Sequence, residues 1–103
     1  MDKLSNGEEK VMLVIWQAKE RLTYIGVRDE IESRFGDNWK GQTVCTVIKR
    51  LKKKGYIATF KMGRFTNYEA LISIEDYRKM LLNEIIERLY QGNRTKLIEE
   101  LLE

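Results

Sequence analysis

Histidine is missing from this chain altogether, and so is proline. Without histidine, the commonest metal ligand and the commonest general base at neutral pH are both gone. The lone cysteine, Cys45, rules out a disulfide within the chain and suits a reducing compartment. No apolar run approaches the ~20 residues that span a bilayer. The N-terminus also has no signal-peptide core, so the expectation is a cytoplasmic protein with no membrane insertion. A phosphate-cradling glycine loop is absent too. Acidic pairs such as Glu8–Glu9 and Glu99–Glu100 fall at helix ends, where capping and solvation account for them. No catalytic set, metal site or cofactor site survives these absences, and an enzyme is not expected.

Another absence is local. Between Lys40 and Tyr68 there is no Asp or Glu, yet the span holds eight cations: Lys40, Lys49, Arg50, Lys52, Lys53, Lys54, Lys61 and Arg64. The 39 residues before it carry six basic and eight acidic side chains, and the 35 after it carry five and eight. The modest net charge of +3 therefore hides a strongly basic middle flanked by acidic ends. That is the footprint expected of a surface meeting a polyanion. Charged residues make up 34% of the chain, above the ~25% typical of globular domains. A hydrophobic fraction of 43% over 103 residues supports one compact unit with a small appendage.

Elements follow from spacing. Ser5 and Glu8 make a capping-box pair ahead of Val11, Val14, Ile15 and Ala18, which recur with helical period, and Trp16 edges that face. Thr23 can cap a second helix carrying Val27, Ile31 and Phe35 on one side, with Gly36 as its stop. The third helix places Val44, Val47, Ile48 and Leu51 in one apolar stripe and ends near Gly55, with Lys52 and Lys54 serving the helix end and the general field. The period then changes. Tyr56–Phe60 and Phe65–Leu71 are β-prone runs flanking "KMGR", so a hairpin with a four-residue loop is expected. Ser73 and Asp76 open a further helix with Tyr77, Leu81, Ile85 and Leu89 on one face, broadened by Leu82 and Ile86. Asn93 and Thr95 can start the last one, whose apolar side is Leu97, Ile98, Leu101 and Leu102.

Three helices followed by a hairpin is the order of a winged helix-turn-helix. The expected fold is mainly α with a small β-hairpin, a winged helix over 1–72 followed by C-terminal dimerisation helices over 73–103. The third helix sorts into two faces. Gln42, Thr43, Thr46, Lys49, Arg50 and Lys53 fall opposite the apolar stripe. A glutamine can bond adenine bidentately and a threonine methyl suits the thymine methyl, so Gln42, Thr43 and Thr46 are candidate base readers. Lys49, Arg50 and Lys53, with Lys40 before them, are candidate phosphate contacts. Lys61 and Arg64 flank the wing tip and can reach phosphate or a narrow minor groove. The apolar residues Leu81, Leu82, Ile85, Ile86, Leu89, Leu97, Ile98, Leu101 and Leu102 exceed what the edge of one small domain needs. They suit a second copy of the chain, or packing back onto the winged domain.

The stretches "LSNGEEKVMLVIW", "KGQTVCTVIKRLKKKGYI" and "KMGRFTNYEALIS-IEDY" resemble successive signatures of the BlaI/MecI family of penicillinase and methicillin-resistance repressors, and "LYQGNRTKLIEELLE" resembles the start of that family's dimerisation segment. The resemblance implies a homodimeric repressor whose partner is a palindromic double-stranded DNA operator. It also implies base contacts from the start of the third helix, which adds Cys45 to Gln42, Thr43 and Thr46. Family members usually continue with another helix beyond the position of Glu103. In the β-lactam-responsive members a membrane-bound sensor protease triggers cleavage at an Asn-Phe bond near this end, and Glu100-Leu101 stands there here, which counts against that partner. The paired tail cysteines of the copper-responsive branch are absent, which counts against copper sensing. The alternative reading is a winged-helix module that binds protein or RNA without operator specificity.

Overall fold

The computed structural model describes residues 2–103, in two compact units, one ending at Ser73 and the other Ile74–Glu103. The first contains α1 (Asn6–Gln17), α2 (Tyr24–Phe35), α3 (Gly41–Lys53) and an antiparallel hairpin of β1 (Ile57–Met62) and β2 (Phe65–Ala70). The second contains α4 (Ile74–Leu89) and α5 (Arg94–Leu101). Among the described residues no helix is long and apolar enough to cross a membrane.

Each helix of the first unit starts or stops where its sequence dictates. The Ser5 hydroxyl accepts from the Glu8 backbone N–H at 3.3 Å, and the Glu8 carboxylate accepts from the Ser5 N–H at 2.8 Å. Both partners of this box are present, so two of the orphan donors at the start of α1 are satisfied. The Thr23 hydroxyl accepts from the Gly26 N–H, and Gly36 takes the left-handed stop of α2. The three helices pack on one another, with β1 against α3 and β2 against α1. Their shared core is Val11, Met12, Val14, Val27, Ile31, Val44 and Leu51, all fully buried.

Four details differ from the periodicity argument. Met12 and Tyr56 are core residues, because α1 is covered on more than one side and Tyr56 follows α3 into the interior. Phe35 leaves the core and stays 37% exposed, with the Lys10 ammonium 5.5 Å from its ring centroid. Ala18 terminates α1 instead of extending its apolar face. The hairpin loop has two residues, not four: Lys61 pairs with Thr66 and Met62 with Phe65, leaving only Gly63 and Arg64 in the turn. Gly63 has φ 64°, the positive value that a two-residue hairpin demands at its first turn position.

Among the described residues Glu8 is the one acidic side chain of the core, 2% exposed. Besides its capping role it accepts a 2.7 Å hydrogen bond from the Lys54 ammonium, just past the end of α3. Lys54 also donates to the Lys3 carbonyl at 3.3 Å, and the Tyr56 hydroxyl donates to the Asp2 carbonyl. Burial alone would push the Glu8 carboxyl up. The hydrogen bonds from Lys54 and Ser5, with the Lys54 charge, outweigh burial and hold it below the ordinary glutamate value.

A folded-state pKa below the unfolded one means that the carboxylate contributes stability above the unfolded value, ~4.3, and loses it as the pH falls through the folded value. Urea midpoints should therefore drop on acidification below about pH 5, and Glu8→Gln should flatten that drop while lowering the midpoint at neutral pH. Lys54→Met, which leaves the buried carboxylate without its cation, should cost about 3 kcal/mol at pH 7 by the same assay.

Candidate nucleic-acid interface

The third helix is fixed in the fold by its own two-faced sequence. Val44, Val47, Ile48 and Leu51 are buried, while Gln42, Thr43, Thr46, Lys49, Arg50 and Lys53 are exposed. Its C-terminus is set by Gly55 at φ 82°, one residue beyond the C-cap Lys54. There the Gly55 N–H bonds the Lys52 carbonyl at 3.1 Å and the Tyr56 N–H bonds the Leu51 carbonyl at 3.0 Å. This paired closure is the Schellman arrangement, and it turns the chain directly into β1.

The candidate residues then separate. Gln42, Thr43 and Thr46 lie together on the exposed face at the start of α3. The Thr46 hydroxyl donates to the Gln42 carbonyl at 2.9 Å, so its hydrogen is engaged by the helix while its methyl remains available. Lys40 occupies the N-cap without a side-chain cap bond. Lys49, Arg50 and Lys53 make no ion pair among the described residues, and neither do Lys61 and Arg64. Arg64 sits in the turn itself and Lys61 within β1, so they do not flank a loop symmetrically.

Cys45 stands apart from its neighbours in sequence. It is half-buried and lines a cleft of about 560 Å³ between α3, the start of α2 and the hairpin, in company with Ile48, Lys49 and Tyr68. Burial, with Cys45 and Tyr24 nearby, holds the Tyr68 phenol above its usual value, so it remains a neutral donor. Lys52 also lines this cleft and donates to the Thr59 hydroxyl at 3.3 Å, linking α3 to β1. Lys54 is committed to Glu8 and does not join the basic face.

Sequence reasoning missed one positioning residue. The Arg21 guanidinium lies 4.5 Å from the Phe60 ring centroid on β1 and 3.0 Å from Glu69 on β2, so a single side chain before α2 touches both strands of the wing. The stacked cation is worth about 0.5–1 kcal/mol at such an exposed site. No local motif announces it, because its partners lie 39 and 48 residues further along the chain. The hairpin tip also presents Met62 and Phe65, 59% and 61% exposed.

In the second unit the Asn93 side chain accepts from the Lys96 N–H and caps α5, and the Tyr90 hydroxyl donates to Glu100 at 2.6 Å. Leu82, Leu89, Ile98, Leu101 and Leu102 are exposed, Leu81, Ile85 and Leu97 are half-buried, and Ile86 is buried within the single chain. Glu100 and Leu101 close α5.

The profile of a family described as "Penicillinase repressor" matches residues 4–103. The chain is 28% identical over 102 residues to the methicillin resistance regulatory protein MecI of Staphylococcus aureus strain N315, covering 98% of this chain and 80% of that one. It is 28% identical over 101 residues to the penicillinase repressor of Bacillus licheniformis, covering 98% and 77%. The solution structure of the DNA-binding domain of the repressor BlaI superposes with a TM-score of 0.61 at 32% identity, over 75% of this chain and 94% of that one. The Bacillus licheniformis BlaI monomer in complex with the blaP half-operator gives 0.59 at 32% identity, over 74% and 89%.

The closure at Gly55 orients both α3 and the wing. A Cβ there meets nothing within 4 Å, so the penalty of Gly55→Ala is conformational rather than steric. It should lower stability by about 1 kcal/mol in urea unfolding, and Gly55→Asn, which tolerates the left-handed region better, should lower it less.

Proposed function

The chain belongs to the penicillinase repressor family, whose members are DNA-binding transcriptional repressors and not enzymes, and on that premise we propose that it binds a palindromic operator as a homodimer and blocks transcription. The observation that carries this reading is the exposed face of α3, with Gln42, Thr43 and Thr46 ahead of the unpaired cations Lys49, Arg50 and Lys53. Its fold is shared with a BlaI monomer solved on a half-operator. In this reading the first unit, to Ser73, is the DNA-binding domain and Ile74–Glu103 the dimerisation region.

The roles divide along the helix. Gln42, Thr43 and Thr46 read base edges in the major groove, with Cys45 beside them at the cleft. Lys40, Lys49, Arg50 and Lys53 neutralise phosphates on either side, and Lys61 and Arg64 do so from the wing. Exposed leucines and isoleucines on α4, on α5 and at its C-cap supply the face for a second copy: Leu82, Leu89, Ile98, Leu101 and Leu102, with Leu81, Ile85 and Leu97 behind them. A self-complementary patch of this kind suits a twofold dimer, and a twofold dimer matches a palindrome whose half-sites lie about one helical turn, or a multiple of it, apart.

Fluorescence anisotropy on a duplex carrying the operator, recovered by sequencing bound genomic fragments, tests the reading. Affinity should fall steeply with salt, and each of Lys49→Ala, Arg50→Ala and Lys53→Ala should reduce the logarithmic salt slope by about one. Gln42→Ala and Thr46→Ala should instead leave the slope unchanged and relax discrimination between base pairs, by about 1–3 kcal/mol where the bidentate Gln42 contact is lost and by less at Thr46. Salt-independent binding would overturn the phosphate assignment. Sedimentation should find a dimer, and Leu89→Asp with Leu101→Asp should yield folded monomers that bind the operator about a hundredfold more weakly.

A further inference from the structure

The cleft between α3 and the hairpin has a composition that a phosphate-contacting surface alone does not require. Its volume of about 560 Å³ falls within the range of small-molecule sites. Ile48, Phe65 and Tyr68 form apolar walls, and the start of α2 brings Tyr24 and Ile25 to the same place. Tyr24, Ile25 and Phe65 are 39%, 44% and 61% exposed, so three large apolar side chains converge on one concavity instead of being scattered singly over the surface. Lys49, Lys52 and Arg64 line it as well, and no Asp or Glu does. Lys49 and Arg64 have no ion pair among the described residues, and Lys52 meets only the neutral Thr59 hydroxyl.

Apolar walls with uncompensated cations select an amphipathic anion. A sugar phosphate could find partners in the lining threonines, but it has no apolar body to cover Ile25, Ile48 and Phe65. An aromatic body with one carboxylate covers the exposed rings and places its charge beside the ammonium and guanidinium groups.

We propose that this cleft is an effector site for a small aromatic monocarboxylate, with the ring against Ile48, Phe65 and Tyr68 and the carboxylate among Lys49, Lys52 and Arg64, and that its occupancy weakens DNA binding. The second half rests on the DNA-binding reading above: Lys49 and Arg64 cannot serve a bound carboxylate and a phosphate at once, so the two ligands compete. Lys52 separates the two halves, because it lines the cleft but is not among the phosphate contacts assigned above.

The test uses the full chain, labelled with 15N, titrated with 2-naphthylacetate and, in parallel, with the uncharged 2-naphthylacetamide. The expected result is saturable amide shifts confined to residues 23–25, 45–52 and 59–68 for the carboxylate, with the amide binding at least about tenfold more weakly for want of a charge-assisted contact. Lys52→Gln should weaken the carboxylate about tenfold while changing operator affinity less than about twofold. Thr66→Trp, which fills the cleft from β2, should abolish the shifts while the rest of the spectrum stays native. In operator anisotropy the carboxylate should raise the apparent Kd of the wild type, and Lys52→Gln should need about ten times more of it to do so. Shifts that never saturate at millimolar ligand, shifts spread over α4 and α5, or equal binding of acid and amide would each overturn the site. Saturable shifts with unchanged operator affinity would overturn the competition. A protein that saturates with the carboxylate but binds no duplex at all would sink the repressor reading and leave the cleft standing.

Discussion

The contact on which the first unit depends is the one between Glu8 and Lys54. A buried carboxylate is costly unless its oxygens are met, and here one group meets two demands. It closes the capping box at the start of α1, and it holds the cation just past the end of α3. The first turn of the first helix is thereby fastened to the last turn of the third. Everything the proposed interface needs follows from that end of α3: the left-handed Gly55, the passage of Tyr56 into the core, and the start of β1 one residue later. An apolar pair at these positions would bury as much surface, but it would not specify which residue of α3 ends beside which residue of α1. The directional hydrogen bonds of a carboxylate do.

This changes how the lysine run of α3 is read. Along "KRLKKK" the five cations look alike, yet the helix deals the six residues to different environments. Leu51 enters the core, Lys54 turns back to Glu8, Lys52 points to the wing through Thr59, and Lys49, Arg50 and Lys53 remain unpaired on the exposed face. A rotation of about 100° per residue is enough to separate a structural cation from one free to meet a polyanion. Counting positive charges therefore overstates the surface available for phosphate, and the counterion release on binding should scale with the unpaired subset.

Most of the fold was legible because its signals are local. Ser5 with Glu8, Thr23 before α2, Gly36 after it, and the stripe Val44, Val47, Ile48 and Leu51 each act within one or two turns, and each stands in the structure as the spacing implied. The misses share the opposite property. The partner of Glu8 lies 46 residues away, the partners of Arg21 lie 39 and 48 away, and neither contact leaves a periodic trace. The hairpin lies where its β-prone runs imply, but its loop is two residues shorter than "KMGR" suggests, since turn composition is local while the pairing of Met62 with Phe65 is a property of two strands together. Phe35 kept helical phase with Val27 and Ile31, yet α2 outruns the core by one turn, so phase alone did not bury it. For the candidate site, the exposed positions of α3 were readable from phase. The half-buried place of Cys45 was not, because it depends on where β2 and the start of α2 come to lie.

The geometry of α3 also constrains how the proposed roles can be shared. Gln42 and Lys53 are eleven residues apart, about 16 Å along a helix axis at 1.5 Å per residue. The major groove is about 12 Å wide. A straight α3 laid across the groove therefore cannot keep both ends over base edges, and whichever end enters leaves the other over the sugar-phosphate backbone. The uncharged Gln42, Thr43 and Thr46 are the proposed reading end, through the Gln42 amide and the threonine methyls, and the cationic end gains more from phosphate than from any base edge. The reverse docking would set three cations against bases and leave neutral side chains opposite the phosphates. The wing breaks any remaining tie. It leaves α3 at the cationic C-terminal end through Gly55, and Lys52 holds it there through the Thr59 hydroxyl. Charge and connectivity thus favour the same orientation, with the reading end of α3 at its start and the gripping end beside the hairpin.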